Sequence, residues 1–274
     1  MPELPEVETI VRDIRPEVLG RTVVRAELSH TDVLRGVTRP ALTRGLAGAV
    51  VRDVFRRAKH AIFDLGERRL VVQPGMTGAL LVHDRALTKE ESRYAVLRVT
   101  LDDGRLLVYR DVRRLGTLLW LDARGWARYD AAIGPEPLER SFTAEAMQSA
   151  LGRTRQAVKK ALMDQRLVAG VGNIYANEAL FAAGIDPSRA ANRLTDTEWA
   201  ALHTELRRIL SAAVSGRGST VRDYRTGTGA KGEFQLSHLV YGREGEPCVR
   251  CGTHLAGTHA IDARITVFCH RCQA

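Results

Sequence analysis

The cysteines of this chain constrain its C-terminal fold more than any other feature. The 274-residue sequence contains four cysteines, arranged as two Cys-x-x-Cys pairs, Cys248/Cys251 and Cys269/Cys272, which residues 252–268 separate. Two such pairs can supply the four thiolates of a tetrahedral zinc site, and four protein ligands leave no position for a reactive water. Two disulfides are the alternative, but these persist mainly in oxidising compartments. We therefore predict one structural Zn²⁺ ion.

The charge balance favours a polyanionic partner. The chain has 41 Lys and Arg residues against 32 Asp and Glu residues, and hence a formal net charge of +9. Such a balance suits nucleic acid or an anionic membrane, although basic proteins with neither partner are common. The apolar stretches are short, and residues 1–15 carry acids where a signal peptide would carry a basic and then an apolar run. We expect a cytoplasmic protein without membrane association.

Residues 1–133 read as one helix followed by strands. Residues 5–19 place apolar side chains on one helical face, and Gly20 ends the run. Short β-rich runs follow at residues 22–28, 49–55, 61–65, 69–73, 79–83, 94–101, 105–109 and 117–121. Asp103-Gly104 is a typical hairpin turn between two of these runs. This pattern predicts an N-terminal domain, residues 1–133, with a helix and a β-sandwich.

Beyond the linker-like residues 134–137, the pattern becomes helical. Helices are expected at residues 143–151, 156–163, 174–183 and 196–215, and Thr195 with Glu198 forms a capping box for the last. Residues 216–232 are rich in Gly, Ser, Thr and Arg, and a loop of this length is usually functional or disordered. We assign residues 134–236, including this loop, to a helical domain and residues 237–274 to the cysteine module. The fold class is α+β and multidomain.

Pro2 is a candidate nucleophile. Removal of Met1 would expose a secondary amine, which attacks an aldehyde-level carbon to give an iminium cation directly. An α-amine has a pKa of about 7.7–8, so a usable fraction is neutral near pH 7. Glu3 and Glu6 follow at a helix start, where acids are also favoured simply by the helix dipole. The residues alone are thus compatible with a catalytic site and with a plain helix start.

Motifs along nearly the whole chain resemble those of the formamidopyrimidine-DNA glycosylase and endonuclease VIII family. They are PELPEVE at residues 2–8, RRAK at 56–59, GMTG at 75–78, DVRRLG at 111–116, DQRLVAGVGNIYANE at 164–178 and VYGREGEPCVRC at 240–251. Each motif is weak alone, but their order together with the paired cysteines is specific. The resemblance implies an N-terminal helix plus β-sandwich, a helix–two-turn–helix domain and a C-terminal zinc β-hairpin finger.

The resemblance also implies catalytic roles. Pro2 would attack the sugar C1′ of a damaged nucleotide, and Glu3 would protonate or orient the opening deoxyribose ring. Lys59 and Arg264 would bind phosphate near the lesion, and the Lys59 charge would help to keep the Pro2 amine neutral. A solvated strand lysine is the alternative interpretation of Lys59.

Further residues are implied to contact DNA. Met76, Arg113 and Leu115 would fill the hole left by a flipped-out base. Tyr94 lies where a phosphate-binding histidine is frequent in the family. The remaining two are Lys159, at the lesion side, and Asn173, at a helix N-terminus that would bind phosphate. A helix-surface lysine and a helix-capping asparagine are the alternatives for this pair.

The activity implied is excision of oxidised purines, namely 8-oxoguanine and formamidopyrimidines, through a Schiff base on Pro2 followed by β,δ-elimination. The expected partner is double-stranded DNA containing oxidised bases or abasic sites, bound by a monomer, and residues 216–232 match the family's lesion-capping loop. The alternatives are an endonuclease VIII-like enzyme for oxidised pyrimidines, a non-catalytic zinc-finger protein that binds damaged DNA, and, more remotely, a zinc-binding RNA or translation factor.

The chain departs from the family pattern at a few positions. Leu115 replaces the common phenylalanine, Gln73-Pro74 replaces His-Leu, and the second cysteine pair lies one residue further along than expected. These departures bear on lesion preference and on discrimination of the opposite base, since none of them removes a catalytic group.

Overall fold

The structure, a computed structural model, describes residues 1–219, 227–230, 232 and 234–274. Packing divides the chain into two compact units, Met1–Ala131 with Gly216–Glu233 and Ala132–Ser215 with Phe234–Ala274. The predicted fold class is confirmed, because an N-terminal helix, two β-sheets, a helical region and a C-terminal cysteine module are all present. The three domain ranges predicted from sequence stay a prediction, since packing units and domains need not coincide.

The first unit begins with α1 (Leu4–Val18), close to the predicted 5–19. Glu3 and Glu6 form a capping box at its start, and a proline occupies the first turn, where its missing N–H costs no hydrogen bond. The face predicted to be apolar is buried, with Val7, Ile10 and Ile14 at no more than 1% exposure. The capping box and the buried apolar face therefore both stabilise this helix.

Nine strands and three short helices complete the described part of this unit. In chain order they are β1 (Val23–Leu28), β2 (Leu34–Arg35), α2 (Arg39–Leu46), β3 (Asp53–Arg57), β4 (His60–Asp64), β5 (Arg68–Gln73), β6 (Gly78–His83), α3 (Lys89–Tyr94), β7 (Ala95–Leu101), β8 (Leu106–Asp111), β9 (Thr117–Asp122) and α4 (Ala123–Ala131). The strands form one sheet in the order β1-β7-β8-β6 and a second in the order β2-β9-β5-β4-β3. All of these strand pairs are antiparallel except β2 with β9.

The two sheets and α1 share one apolar core. Phe63 and Leu118 come from the five-stranded sheet, Leu97 and Leu107 come from the four-stranded sheet, and Ile10 comes from α1. Every second residue of these strands belongs to this core, as Ala61 and Phe63 do in β4, although the residue between them is also buried. The chain passes between the sheets from β1 to β2, from β5 to β6 and from β8 to β9, and the last two crossings, residues 74–77 and residues 112–116, lie at adjacent places.

The structure differs from the sequence prediction at several elements. The predicted strand at residues 49–55 begins only at Asp53, because Val50 forms an isolated bridge with Thr22 instead. The helices α2, α3 and α4 and the two-residue β2 were not predicted. Two of these helices begin at threonine caps, Thr38 and Thr88, whose hydroxyls accept N–H groups of Ala41 and Glu91.

The second unit is mainly helical. It contains α5 (Ala144–Leu151), α6 (Val158–Met163), α7 (Asn173–Ala183), α8 (Asp196–Ser215), two 3-10 turns (Ala191–Arg193 and Phe234–Ser237) and a hairpin of β10 (Ala256–Thr258) and β11 (Thr266–Phe268). The helix α7 is buried over most of its circumference and packs against α6, α8 and β11. The Gln165 side chain braces the turns before α7, since it donates to the Val171 carbonyl and accepts the Gly170 N–H.

Within the described residues, none of the helices combines the length and the apolar character needed to span a bilayer.

Candidate active site and nucleic-acid interface

The N-terminal residues lie in a buried, hydrogen-bonded setting. Pro2 is buried, and the Glu3 side chain, 5% exposed, accepts the N–H of Glu6 as a helix cap. The Glu6 carboxylate returns the contact by accepting the Glu3 N–H at 2.8 Å, and its other oxygen accepts the Ser219 N–H at 2.8 Å. Glu6 therefore ties the helix start to the segment that opens the 216–232 loop, a role that sequence reasoning missed.

Lys59 lies at the tip of the tight hairpin between β3 and β4, and only 4% of it is exposed. Ala58, beside it, adopts a positive φ of 51°, an uncommon conformation for a residue with a side chain. Arg56 joins this hairpin to α1, because its guanidinium contacts Glu8 at 3.0 Å and also donates to the Ala58 carbonyl at 3.0 Å. The burial excludes the interpretation of Lys59 as a solvated strand lysine.

The three residues predicted to fill the hole left by a flipped-out base lie on the surface of the first unit. Met76 is 38% exposed, Leu115 is 54% exposed, and Arg113 is also exposed. The Arg113 guanidinium lies 3.7 Å from the Met76 sulfur, so the motifs at residues 75–78 and 111–116 are neighbours in the structure. Large apolar side chains exposed at such positions are typical of a surface that contacts a partner.

Tyr94 lies between two cations. The guanidinium carbons of Arg93 and Arg110 are 5.3 and 5.4 Å from the centroid of its ring, within the range of a cation–π interaction. A cavity of about 250 Å³ opens beside it, lined by His30, Arg93, Tyr94, Asp111, Val112 and Arg114. This basic environment suits an anionic group.

In the second unit, Lys159 and Asn173 meet at the segment that follows Arg264. The Lys159 ammonium is fully buried and donates to the Thr266 hydroxyl at 2.7 Å and to the Ile265 carbonyl at 3.2 Å. Asn173, the first residue of α7, donates its side-chain amide to the same carbonyl at 3.1 Å. Lys159 is therefore not a helix-surface lysine, and in this structure it joins α6 to the hairpin. Arg264 itself is exposed and pairs with Asp262 at 2.9 Å.

The four cysteines form a compact centre. Their sulfurs all lie within 4.8 Å of one another, with Cys248 and Cys272 at 3.9 Å and Cys251 and Cys269 at 3.5 Å. These are distances between free thiols rather than the roughly 2 Å of a disulfide, and tetrahedral zinc–thiolate bonds of about 2.3 Å place sulfurs about 3.8 Å apart. The donor set and its spacing therefore fit a zinc ion.

The electrostatics of this centre also favour a cation. Hydrogen bonds from Thr253 lower the pKa of Cys251 to about 6, whereas contact with the Cys251 sulfur raises the pKa of Cys272 to about 12. Four crowded thiols cannot all ionise without a bound cation. The centre packs on Phe181 of α7 together with Val240, Leu255 and Val267, so a bound ion would hold the hairpin against the helices.

The described residues include part of the predicted lesion-capping loop. Residues 220–226 and 231 of the 216–232 segment lie outside the described residues. Of the remainder, Gly218 adopts a φ of +79° and packs so closely on Glu6 that an added Cβ would lie 3.0 Å from its side chain. The positive φ and this close approach together disfavour a residue with a side chain at position 218.

Sequence reasoning assigned no contacts to several supporting residues, although it expected Glu178 to be structural. Glu178 on α7 accepts the backbone N–H groups of Leu239, Val240 and Tyr241 at 2.7–3.0 Å, and thereby fixes the chain that leads to the first cysteine pair. Buried Asp111 and the Gln165 brace are the others. All three side chains lie in motifs of the sequence analysis, at residues 111–116 and 164–178. Their presence in these motifs was the one sequence signal that could have indicated a supporting role.

The fold and the cysteine centre define a class, an α+β protein with a β-sandwich unit and a helical unit that ends in a Cys₄ module. Comparison with known families identifies it further. A family model described as the formamidopyrimidine-DNA glycosylase N-terminal domain matches residues 1–118, and one described as the H2TH domain of the same glycosylase matches residues 133–225. The chain belongs to the formamidopyrimidine-DNA glycosylase family, which confirms the resemblance drawn from the motifs.

Relatives and solved structures agree over the full length. The formamidopyrimidine-DNA glycosylase of Laribacter hongkongensis is 42% identical, with 100% of each chain covered. The crystal structure of the MutM (Fpg) protein from Thermus thermophilus is 38% identical, with a TM-score of 0.87 over 99% of this chain and 98% of that one. A structure of MutM in complex with DNA containing carbocyclic 8-oxo-G is 32% identical, with a TM-score of 0.88 over 99% of each chain.

Proposed function

We propose that this protein is a bifunctional DNA glycosylase and abasic-site lyase that removes oxidised purines, 8-oxoguanine and formamidopyrimidines, from double-stranded DNA. The observation that carries the proposal is the buried helix start at which Glu3 and Glu6 cap each other directly after Pro2. A relative that matches over the full length is named for formamidopyrimidine excision, and a structural neighbour binds DNA containing an 8-oxoguanine analogue.

The proposed chemistry begins after Met1 is removed, because the Pro2 nitrogen is otherwise an amide. The neutral secondary amine attacks C1′, and the bond from C1′ to the base breaks, so that the base leaves with the bonding electrons. Glu3 donates a proton to the ring oxygen as the sugar opens, which gives an iminium ion on Pro2. The iminium acts as an electron sink, so that loss of a C2′ proton expels the 3′ phosphate and loss of a C4′ proton then expels the 5′ phosphate, and water hydrolyses the remaining iminium to free Pro2. The product is a one-nucleotide gap with phosphate ends.

Residues of several motifs would contact the DNA. Lys59, Asn173 and Arg264 would bind phosphates near the lesion, with Lys59 and Arg264 assisting catalysis through the charge that they place there. Tyr94 would add a contact at the basic cavity, and Lys159 would act at the lesion side by fixing the Ile265 and Thr266 segment. Met76, Arg113 and Leu115 would replace the flipped base in the stack.

The remaining parts of the proposal concern assembly. One Zn²⁺ ion bound by Cys248, Cys251, Cys269 and Cys272 would stabilise the C-terminal finger, without a part in the chemistry. The domains would be residues 1–133, 134–236 and 237–274, with loop 216–232 covering the flipped base. The protein would act as a monomer on chromosomal DNA in the cytoplasm, without membrane association.

Borohydride trapping tests the proposal. Protein shown by mass spectrometry to lack Met1 is mixed with a duplex containing 8-oxoguanine opposite cytosine, together with the variants Pro2→Gly and Glu3→Gln. We expect a covalent adduct with the wild type that is lost or greatly reduced in both variants. Trapping on oxidised pyrimidine but not on 8-oxoguanine would identify an endonuclease VIII-like enzyme. No adduct on any lesion or abasic site would leave only DNA binding and would contradict the proposal.

A further inference from the structure

Two of the connections between the sheets, residues 74–77 and residues 112–116, begin and end side by side. Gln73 pairs with Thr117 in the five-stranded sheet, and Gly78 pairs with Asp111 in the four-stranded sheet. Residues 74–77 and 112–116 therefore cross the same gap between the same pairs of neighbouring strands. Both crossings carry exposed side chains, Met76 on one and Arg113 and Leu115 on the other.

Asp111 is buried where the two crossings meet, with 1% exposure. Its carboxylate accepts the Thr77 hydroxyl at 2.5 Å from one crossing and the Gly116 N–H at 2.9 Å from the other. The Tyr109 hydroxyl donates to it as well, at 3.0 Å. Hydrogen bonds to an ionised acceptor are stronger than those between neutral groups, and burial raises their strength further.

The hydroxyl of Thr77 adds a second link. It accepts the backbone N–H of Arg113 at 2.9 Å while it donates to Asp111. The chain of contacts from Arg113 through Thr77 to Asp111 thus joins the segment of Met76 to the segment of Arg113 and Leu115. Removal of this one hydroxyl would break both links.

Backbone packing also holds the crossings together. A Cβ on Gly75 would lie 2.6 Å from the Gly116 nitrogen, and a Cβ on Gly116 would lie 2.8 Å from the Gly75 nitrogen and overlap the Tyr109 hydroxyl. The two backbones are therefore in direct contact, which only glycine allows. Neither crossing can move far without displacing the other.

We infer that Asp111 is a positioning residue that makes the two crossings one rigid unit, so that Met76, Arg113 and Leu115 enter the duplex together. The inference rests on the proposed function. If these side chains entered the duplex one at a time, part of the space left by the flipped-out base would stay unfilled. If they enter together, their contacts offset the free-energy cost of unstacking in one step. Loss of the coupling is thus expected to slow extrusion of the base and to leave the chemistry at C1′ intact.

Thr77→Val is the decisive variant, because it removes the hydroxyl at nearly constant volume and leaves the Asp111 contacts with Tyr109 and Gly116. Thr77→Ser retains the hydroxyl and is the matched control. Asp111→Asn is the second test, since an amide cannot accept all three donors. Each full-length protein lacking Met1 is assayed in single turnover on duplexes with 8-oxoguanine opposite cytosine or with an abasic site, and 2-aminopurine beside the lesion reports unstacking.

We expect Thr77→Val to slow both the fluorescence change and base excision about tenfold, as loss of one hydrogen bond to a charged acceptor predicts. Thr77→Ser should restore both rates, and cleavage at the abasic site should stay near the wild-type rate in all variants. Wild-type rates of unstacking and excision in Thr77→Val would overturn the inference, and so would equal slowing on both substrates. A wild-type protein inactive on both substrates would instead overturn the proposed function.

Discussion

At the scale of single residues, the site combines groups whose burial sets their chemistry. His60, next to Lys59, shows this most clearly, because burial lowers its pKa to about 4. The groups around it are the Arg57 carbonyl at 3.3 Å, the Gln73 side chain, the Tyr129 ring at 5.7 Å and the charges of Lys59 and Arg57. Both cations oppose protonation of the imidazole, so the ring is neutral in the folded protein near pH 7.

We predict that His60 makes the protein less stable in mild acid. The unfolded chain takes up a proton near pH 6.5 and the folded protein only near pH 4, so the free energy of unfolding falls as the pH drops through this interval. His60→Gln should reduce that fall, measured by urea denaturation between pH 7 and 5. His83→Gln, at a half-buried histidine of the same unit, is the control, and identical pH profiles for His60→Gln and wild type would refute the prediction.

The sequence motifs were enough to name candidate site residues, but not the contacts that hold those residues in place. The motifs contained Pro2, Glu3 and Lys59, and their burial is consistent with defined roles. The partner of buried Lys159 is Thr266, which lies 107 residues away, and the partner of Asp111 is Thr77, 34 residues away. Such contacts depend on strand register and helix packing, which no local pattern specifies.

At the scale of elements, the sequence predicted correctly those helices for which a capping motif and the period of apolar residues indicate the same segment. The helix α8 has the predicted bounds, because Thr195 and Glu198 cap it reciprocally and an apolar stripe including Trp199 is buried. The helix α4 has a cap, since the Asp122 side chain accepts the Gly125 N–H at 2.7 Å, but none of its residues is buried and Gly125 disfavours a helix. Its formation depends on tertiary contacts such as the edge-to-face packing of Trp126 on Phe55.

We predict that Glu178 is the main anchor between α7 and the cysteine module. Glu178→Ala would leave three backbone N–H groups without their acceptor and should lower the free energy of unfolding by about 2–4 kcal/mol. Glu178→Gln keeps one acceptor oxygen and should cost less. Chemical denaturation measures both. Equal stability of the alanine variant and the wild type would show that the segment is held by other contacts.

At the scale of the whole molecule, the apolar core of the first unit differs in size from the core around the cysteines in the second. The first has a broad apolar core that α1 and both sheets share, whereas the core around the cysteines is small and includes Cys248 and Cys269 themselves. Small modules of this kind usually depend on their metal for folding.

Removal of the metal should therefore affect the units unequally. We predict that chelation at neutral pH increases amide hydrogen exchange in β10, β11 and the end of α7, with little change in β5 and β8. Mass spectrometry of the exchanged protein locates the effect, and Cys251→Ser should reproduce it without a chelator. Uniform loss of protection in both units, or no loss in either, would contradict this assignment.

The paired crossings also bear on how this surface can diversify. A hairpin turn such as Asp103-Gly104 can gain residues at its tip, since only one pair of strands constrains it. Residues 74–77 and 112–116 have both ends fixed in register in two different sheets, so an insertion in one would shift it against the other. Variation here is thus limited to exchange of side chains at constant length. Leu115, at a position where the family resemblance led us to expect phenylalanine, would be a change of that kind.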